Sequence, residues 1–204
     1  MKNFDFELDS TFVLGPLLVA FCVLTVVRAV RRRPGWTGGH AAVRLVAACY
    51  AAAVLDLTIF PIAITYGEYA NQTPWYELVN FIPLLVADLT FVPNVVMLLP
   101  LGFLLPLTAA GPVSLKRATG LAFLASLTIE AAQLLCYLLF NNGRSVDVND
   151  LIANTLGGAL GYLAYRLAAR TPSLNALLGR LTLPAAAEEG RSTQPKASVG
   201  ETGG

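Results

Sequence analysis

The 204-residue chain has room for one domain, and its composition argues against a soluble one. Only 13% of its residues are charged, against about 25% in a soluble domain, so most of its surface is expected to face lipid. The net charge of +1 indicates no class of partner. Because Cys22, Cys49 and Cys136 lie in apolar runs without metal-ligand spacing, we predict no disulfide, no metal site and no cofactor.

Five apolar stretches predict an all-α, polytopic helix bundle that spans a membrane. A hydrocarbon core about 30 Å thick requires about 20 apolar residues in a helix. The first stretch follows an acidic leader and has no small-residue cleavage site, which distinguishes it from a signal peptide. In chain order, the predicted spans cover about residues 11–27, 41–64, 92–107, 115–140 and 151–169.

Three regions follow from these spans. Residues 1–40 hold the first span and an arginine-rich loop, and residues 41–170 form the main membrane domain. Residues 171–204 lose the apolar character and are predicted to form a cytoplasmic tail. From about residue 185 the tail is rich in Gly, Ser, Pro and charge, which predicts disorder there.

The distribution of Lys and Arg predicts the orientation of the bundle. If the segment 28–44 faces the cytoplasm, alternation of the spans places twelve Lys and Arg residues inside and only Lys2 and Arg144 outside. This positive-inside bias assigns the N-terminus to the outside and the C-terminus to the cytoplasm. Since the basic residues lie against the inner leaflet, nucleic acid is excluded as a partner and the lipid bilayer is expected.

The segment 63–92 then becomes a large external loop that carries acidic residues and no Lys or Arg. Its apolar part, residues 78–87, contains Asn80 and Pro83 and is too short to span the membrane. We expect this part to lie in the interface or to re-enter the protein, with half a helix as the alternative.

Two predicted spans carry a carboxylate, Asp56 and Glu130, each at a cost of at least about 2.5–3.5 kcal/mol in hydrocarbon. Glu130 shares one helical face with Ser126, Gln133 and Tyr137. That face is expected to look into the bundle or a wet cavity. For Asp56, contact with water from the outer side is an equally good explanation.

Further polar residues are expected to join Glu130 near the external membrane boundary. The short loop before the fifth span carries Arg144 and Asp147, and Asp150 is placed to cap the helix that follows. The third span enters from the same side. The candidate cluster comprises Asn94, Glu130, Gln133, Arg144, Asp147, Asp150 and Asn154.

Each member of the cluster has a structural alternative. Asp150 is explained by capping alone, and Gln133 and Asn154 by interhelical hydrogen bonds. An exposed ion pair explains Arg144 and Asp147, and a hydrogen bond to Gln133 or to a neighbouring helix explains Glu130.

Small residues and prolines are expected to shape the helices around this cluster. Asn154, Gly157 or Gly158, and Gly161 recur every three or four residues, a pattern that permits close backbone approach. Pro100 is predicted to be a kink that packing tolerates.

The sets Glu130-x-x-Gln133, Arg144-x-x-Asp147-x-x-Asp150 and Asn154-x-x-Gly157 are specific in combination. With them, about residues 41–168 resemble the VanZ-like family, named for an accessory protein of teicoplanin (glycopeptide antibiotic) resistance. Asp56 is not part of the pattern. Pro100 and Gly102, in the third of the matching segments, are assigned structural roles. The matching segments are residues 58–62, 80–83, 94–103, 126–133 and 143–162.

The resemblance implies a multi-pass protein of the bacterial cytoplasmic membrane, with a link to reduced teicoplanin susceptibility, but it supplies no mechanism. One hypothesis is a module that binds or shields an envelope component, such as a lipid-linked peptidoglycan precursor or a glycopeptide. A second is a membrane-embedded enzyme that acts on a lipid-linked substrate, with Glu130 as general acid or base. A third is a proton-coupled carrier, against which the absence of an internal repeat argues.

Overall fold

The protein is mostly helical in the computed structural model, as the sequence predicts. Apart from the side chain of Tyr69, the structure describes residues 4–36, 38–71, 73–83, 91–109, 111–141 and 145–184. The helices within these ranges are α1 (Ser10–Val30), α2 (Gly38–Thr58), α3 (Phe91–Thr108), α4 (Leu115–Phe140), α5 (Val148–Ala168) and α6 (Pro172–Leu181).

Two small sheets join segments that are distant in the chain. The first pairs β1 (Phe4–Leu8) with β2 (Ile62–Tyr66) in antiparallel register. The second pairs β3 (Val79–Asn80) with β4 (Val146–Asp147) in parallel register. Because β2 follows α2 and β4 precedes α5, the sheets connect the loops at one end of the helices.

Among the described residues, four helices, α1 to α4, are long and apolar enough to cross a membrane. This confirms an all-α bundle with several candidate spans. α5 has 21 residues, but Asn149, Asp150, Asn154 and three glycines lower its mean hydropathy. These three polar side chains lie at the N-terminal end of α5, which packs against α3 and α4. The fifth span and the orientation of the bundle stay predictions.

The second helix ends earlier than the sequence predicts. The predicted span reaches residue 64, but α2 ends at Thr58 and the chain continues into β2. Pro61 explains the difference, because proline lacks the backbone N–H and keeps the residue before it out of helical conformation. The apolar residues after Pro61 therefore extend the first sheet instead of the helix.

α5 packs parallel to α3 with the two backbones almost in contact. Gly157 lies against the carbonyl group of Val95, and Gly161 against that of Leu99. A Cβ atom at either glycine would overlap that carbonyl oxygen. The small-residue stripe on α5 is therefore what permits this approach. α3 continues through Pro100, and the kink predicted there stays a prediction.

Gly102 and Gly158 make two further close approaches around α5. A Cβ atom at Gly102 would overlap the carbonyl oxygen of Gly158. On its other side, α5 packs antiparallel to α4, where Gly158 lies against Ala122 and Asn154 against Ser126. α5 is thus held between α3 and α4 by backbone-level contacts.

The sequence does not predict α6, which packs back onto the bundle at the end opposite the sheets. Leu178 of α6 is buried with Val43 and Leu107. The Leu183 amide also donates a hydrogen bond to the Leu107 carbonyl at 2.8 Å. The first part of the expected tail is thus ordered against α2 and α3, and residues 185–204 lie outside the described residues.

Candidate functional site

The described polar residues of the candidate cluster lie where the N-terminal ends of α3 and α5 meet the C-terminal half of α4. We call this region the site end. The buried face of α4 carries Ser126, Glu130 and Tyr137, as the helical spacing predicts. The inward orientation of this face is confirmed, and the side chain of Glu130 is only 6% exposed.

Glu130 is held by the loop that precedes α5. The backbone N–H of Asp147 donates a hydrogen bond to Oε2 of Glu130 at 3.3 Å. The carboxyl groups of Asp147 and Asp150 also act electrostatically on Glu130. Within the part of the chain that the structure describes, no residue donates a hydrogen bond to Oε1 of Glu130.

Asp147 caps α5 and ties it to the loop between α2 and α3. One oxygen of its carboxylate accepts a hydrogen bond from the backbone N–H of Asn149 at 2.7 Å. Nδ2 of Asn80 lies 3.1 Å from each carboxylate oxygen. In the parallel pairing of β3 with β4, Asn80 and Asp147 are register partners.

The prediction that Asp150 caps α5 is wrong. The helix begins at Val148, three residues before the predicted start, so that Asp147 occupies the capping position. Asp150 lies in the first turn, near the positive end of the helix dipole. There its Oδ1 accepts a hydrogen bond from Nδ2 of Asn94 at 2.5 Å, which joins α5 to α3.

Gln133 and Asn154 contact other helices and do not line the cavity next to Glu130. Nε2 of Gln133 donates to the carbonyl of Thr58 at 2.9 Å and satisfies a carbonyl at the end of α2. Nδ2 of Asn154 donates to Oγ of Ser126 at 3.0 Å, and the Asn154 side chain is only 1% exposed. Oδ1 of Asn154 is buried and has no hydrogen-bond partner among the described residues.

The predictions for Arg144, for residues 78–87 and for Asp56 have different outcomes. Arg144 and residues 84–87 lie outside the described residues. Residues 78–83 include β3 and the exposed side chains of Phe81 and Ile82. Asp56 lies in the last turn of α2 and is exposed, and its contact with water stays a prediction.

A cavity of about 240 Å³ adjoins Glu130. Within the described ranges, its polar lining consists of Glu130, Asp147 and Asn80, and the other lining residues are apolar. Among the described residues, no three His, Cys, Asp or Glu side chains are grouped to hold a metal ion. The apolar walls are formed by Val79, Phe81, Leu127, Val146, Val148 and Leu151.

Asn80 is a polar wall residue that the candidate cluster lacks. In the sequence, Asn80 belongs to the motif Asn80-Phe-Ile-Pro83, whose residue types are typical of a turn. The motif alone does not predict the contact with Asp147. The parallel pairing of β3 with β4 brings the two residues together. This cavity can accept hydrogen bonds from a polar group while apolar atoms contact its walls.

In the part of the chain that the structure describes, four helices able to cross a membrane and a buried polar cluster between α3, α4 and α5 define a multi-pass membrane protein. The family model described as VanZ/LLP1 matches residues 47–169, more than half of the chain. The chain therefore belongs to the VanZ/LLP1 family, which confirms the resemblance found in its motifs. No curated protein and no solved structure matches it.

Proposed function

We propose that this VanZ-like protein binds a lipid-linked cell-envelope component at the site end and thereby contributes to reduced susceptibility to teicoplanin. The observation that carries the proposal is the Glu130 carboxyl group, buried beside an otherwise mostly apolar cavity. A carboxyl group this deep in a membrane protein marks a functional site by default.

The lining of the cavity favours an amphipathic ligand. Glu130 and Asp147 offer acceptors to hydroxyl, amide or ammonium groups, and Asn80 fixes the Asp147 carboxylate. The apolar walls suit a hydrocarbon chain that enters from the bilayer. A lipid-linked peptidoglycan precursor combines both features, and a glycopeptide offers the polar groups alone.

The positive-inside orientation supports the same ligand. With the N-terminus outside, the site end faces the side on which peptidoglycan is assembled and glycopeptides act. Arg144, in the same loop as Asp147, would add a cation for a phosphate or carboxylate group of the ligand.

A cavity-blocking pair of variants tests the proposal. Leu127 and Leu135 are both exposed leucines on α4, but only Leu127 lines the cavity. We expect Leu127→Trp to restore teicoplanin susceptibility to a host that expresses the protein, and Leu135→Trp to behave as wild type. Membrane abundance of both variants serves as the folding control. Equal susceptibility of hosts that express the two variants at equal abundance would refute the cavity as the site of function.

One observation favours a second function, a membrane-embedded enzyme with Glu130 as general acid or base. Glu130 lines the cavity, where its carboxyl group is within reach of a bound substrate. Such an enzyme would lose its activity in Glu130→Gln while keeping its fold. Glu77→Gln, at an exposed site outside the cavity, is the matched control.

The lipid composition of the host separates the two functions. An enzyme predicts an envelope lipid whose mass changes on expression of wild type and Glu77→Gln but not of Glu130→Gln. Binding alone predicts the same lipid masses in all three strains.

A further inference from the structure

A second polar cavity lies at the end of the bundle opposite the site end, where α1 turns into α2. Its volume is about 530 Å³. We call it the arginine pocket. It is lined by Leu24, Val27, Arg28, Arg31, Arg33, Pro34 and Trp36.

Trp36 is held between two guanidinium groups. The Cζ atoms of Arg28 and Arg44 lie 4.4 Å and 4.3 Å from the centroid of its ring. Both distances are within the range of cation–π contacts. Nη1 of Arg44 also donates a hydrogen bond to the Gly35 carbonyl, which fixes the turn beside Trp36.

The described residues do not balance the positive charge of the arginine pocket. The charged neighbour of Arg44 is Arg28, a group of the same sign. Within residues 4–36 and the other described ranges, no carboxylate forms an ion pair with Arg28, Arg31 or Arg33. Several guanidinium groups around one cavity form a site for a phosphate group, which arginine binds through two parallel hydrogen bonds.

The floor of the pocket indicates the source of that phosphate. Leu24 and Val27 belong to α1, a candidate span, and continue into the exposed apolar surface formed by Val23 and Val26. A phospholipid with its phosphate among the arginines can lay its acyl chains along this surface. Inorganic phosphate would use only the polar rim. Basic pockets between membrane helices are a known form of anionic-lipid site.

We propose that the arginine pocket binds the phosphate of an anionic phospholipid, such as phosphatidylglycerol, in the leaflet that contacts the α1–α2 turn. This site is separate from the Glu130 cavity and does not depend on the function proposed for it. The arginines would then bind a lipid phosphate in addition to their predicted role in orienting the bundle in the membrane.

The tryptophans of the protein provide a direct measurement. The sequence contains two, Trp36 in the pocket and Trp75 in the exposed loop. In a Trp75→Phe background, the fluorescence of the full-length protein reports Trp36 alone. The protein is reconstituted into phosphatidylcholine vesicles that contain brominated phosphatidylglycerol, or brominated phosphatidylcholine as the neutral comparison. We expect the brominated anionic lipid to quench Trp36 at lower mole fraction than the neutral one.

Variants at the rim test the role of the arginines. Arg31→Gln and Arg33→Gln leave both cation–π contacts of Trp36 in place. We expect each to weaken the apparent affinity for brominated phosphatidylglycerol about fivefold. Lys116→Gln removes one exposed charge at the same end of the bundle, outside the pocket, and should leave the affinity unchanged.

Two results would overturn the proposal. One is equal quenching by the anionic and neutral brominated lipids. The other is a loss of affinity in Lys116→Gln as large as in the two arginine variants. Added inorganic phosphate distinguishes the two sources of the ligand. If quenching of Trp36 persists, the pocket is a lipid site. If inorganic phosphate reverses the quenching, the pocket is a site for free phosphate and the proposal is wrong.

Discussion

At the scale of single residues, the polar contacts of the site end join segments that are far apart in the chain. Glu130 accepts from the Asp147 amide, and Gln133 donates to the end of α2. Asn94 and Asp150 join α3 to α5. Each contact satisfies a polar group that hydrocarbon would leave unpaired, which is why these residues face one another.

Helical spacing predicts that Glu130 faces inward, because Ser126, Glu130 and Tyr137 fall on one face of α4. It does not predict the partners. The contact to Asp147 depends on where α5 begins, and the contact of Gln133 depends on where α2 ends. Tertiary packing, the capping residue of α5 and the proline after α2 set these two helix boundaries. Hydropathy predicts neither boundary.

The Ser126–Asn154 contact yields a prediction at this scale. A double-mutant cycle with Ser126→Ala and Asn154→Ala should give a coupling free energy of about 0.6 kcal/mol, the average for such bonds between membrane helices. The measurement is the free energy of unfolding in mixed detergent micelles. Thr128→Ala is the matched control, since Thr128 is exposed on α4 and bonds only within its own helix. Additive effects of Ser126→Ala and Asn154→Ala would contradict the contact.

At the scale of elements, α3 and α5 approach so closely that glycine is required between them. The stripe of small residues predicts a close contact on α5, but it does not predict which helix packs there. The structure assigns α3 to the Gly157 and Gly161 side and α4 to the Gly158 side. This packing sets the positions of the N-terminal ends of α3 and α5, where Asn94 and Asp150 meet.

Alanine substitutions at two glycines should change stability in opposite directions. Gly161→Ala places a methyl group against the Leu99 carbonyl and is expected to lower the free energy of unfolding by about 1–3 kcal/mol. Gly120→Ala, in open space on α4, should raise it by about 0.4–1 kcal/mol.

Unfolding of the purified variants in detergent measures both effects under the same conditions. A Gly161→Ala protein as stable as wild type would contradict the α3–α5 packing. A loss of stability in Gly120→Ala equal to that in Gly161→Ala would show that any added methyl group is harmful.

Hydropathy predicts long apolar elements well and short or amphipathic ones poorly. It gives α4 with the observed ends, residues 115 and 140, where Ser114 caps the start and Asn141 takes the left-handed conformation. It does not predict α6, whose apolar residues are confined to one face, so an average over both faces is low. The burial of Leu178 depends on contacts with α2 and α3.

At the scale of the whole molecule, the orientation of the bundle decides which compartment the Glu130 cavity faces. The positive-inside rule predicts that the site end lies outside and that α6 lies in the cytoplasm. The structure places the two at opposite ends of the helices, so that one orientation determines both.

Cysteine labelling tests this orientation. In a background with Cys22, Cys49 and Cys136 replaced by alanine, Ser145→Cys reports the site end and Ser173→Cys reports α6; both serines are exposed. An impermeant maleimide is expected to label Ser145→Cys in intact cells and Ser173→Cys only after the membrane is opened. The reverse pattern would place the cavity in the cytoplasm and exclude a ligand on the outer face.

The most direct measurement is equilibrium binding of a purified lipid-linked peptidoglycan precursor to the protein in lipid nanodiscs. Wild type and Leu135→Trp are expected to bind alike, and Leu127→Trp should not bind. Glu130→Gln should bind about two- to tenfold more weakly, because a net hydrogen bond is worth about 0.5–1.5 kcal/mol. Absence of binding by wild type, or equal affinity of wild type, Leu127→Trp and Glu130→Gln, would contradict a binding site beside Glu130.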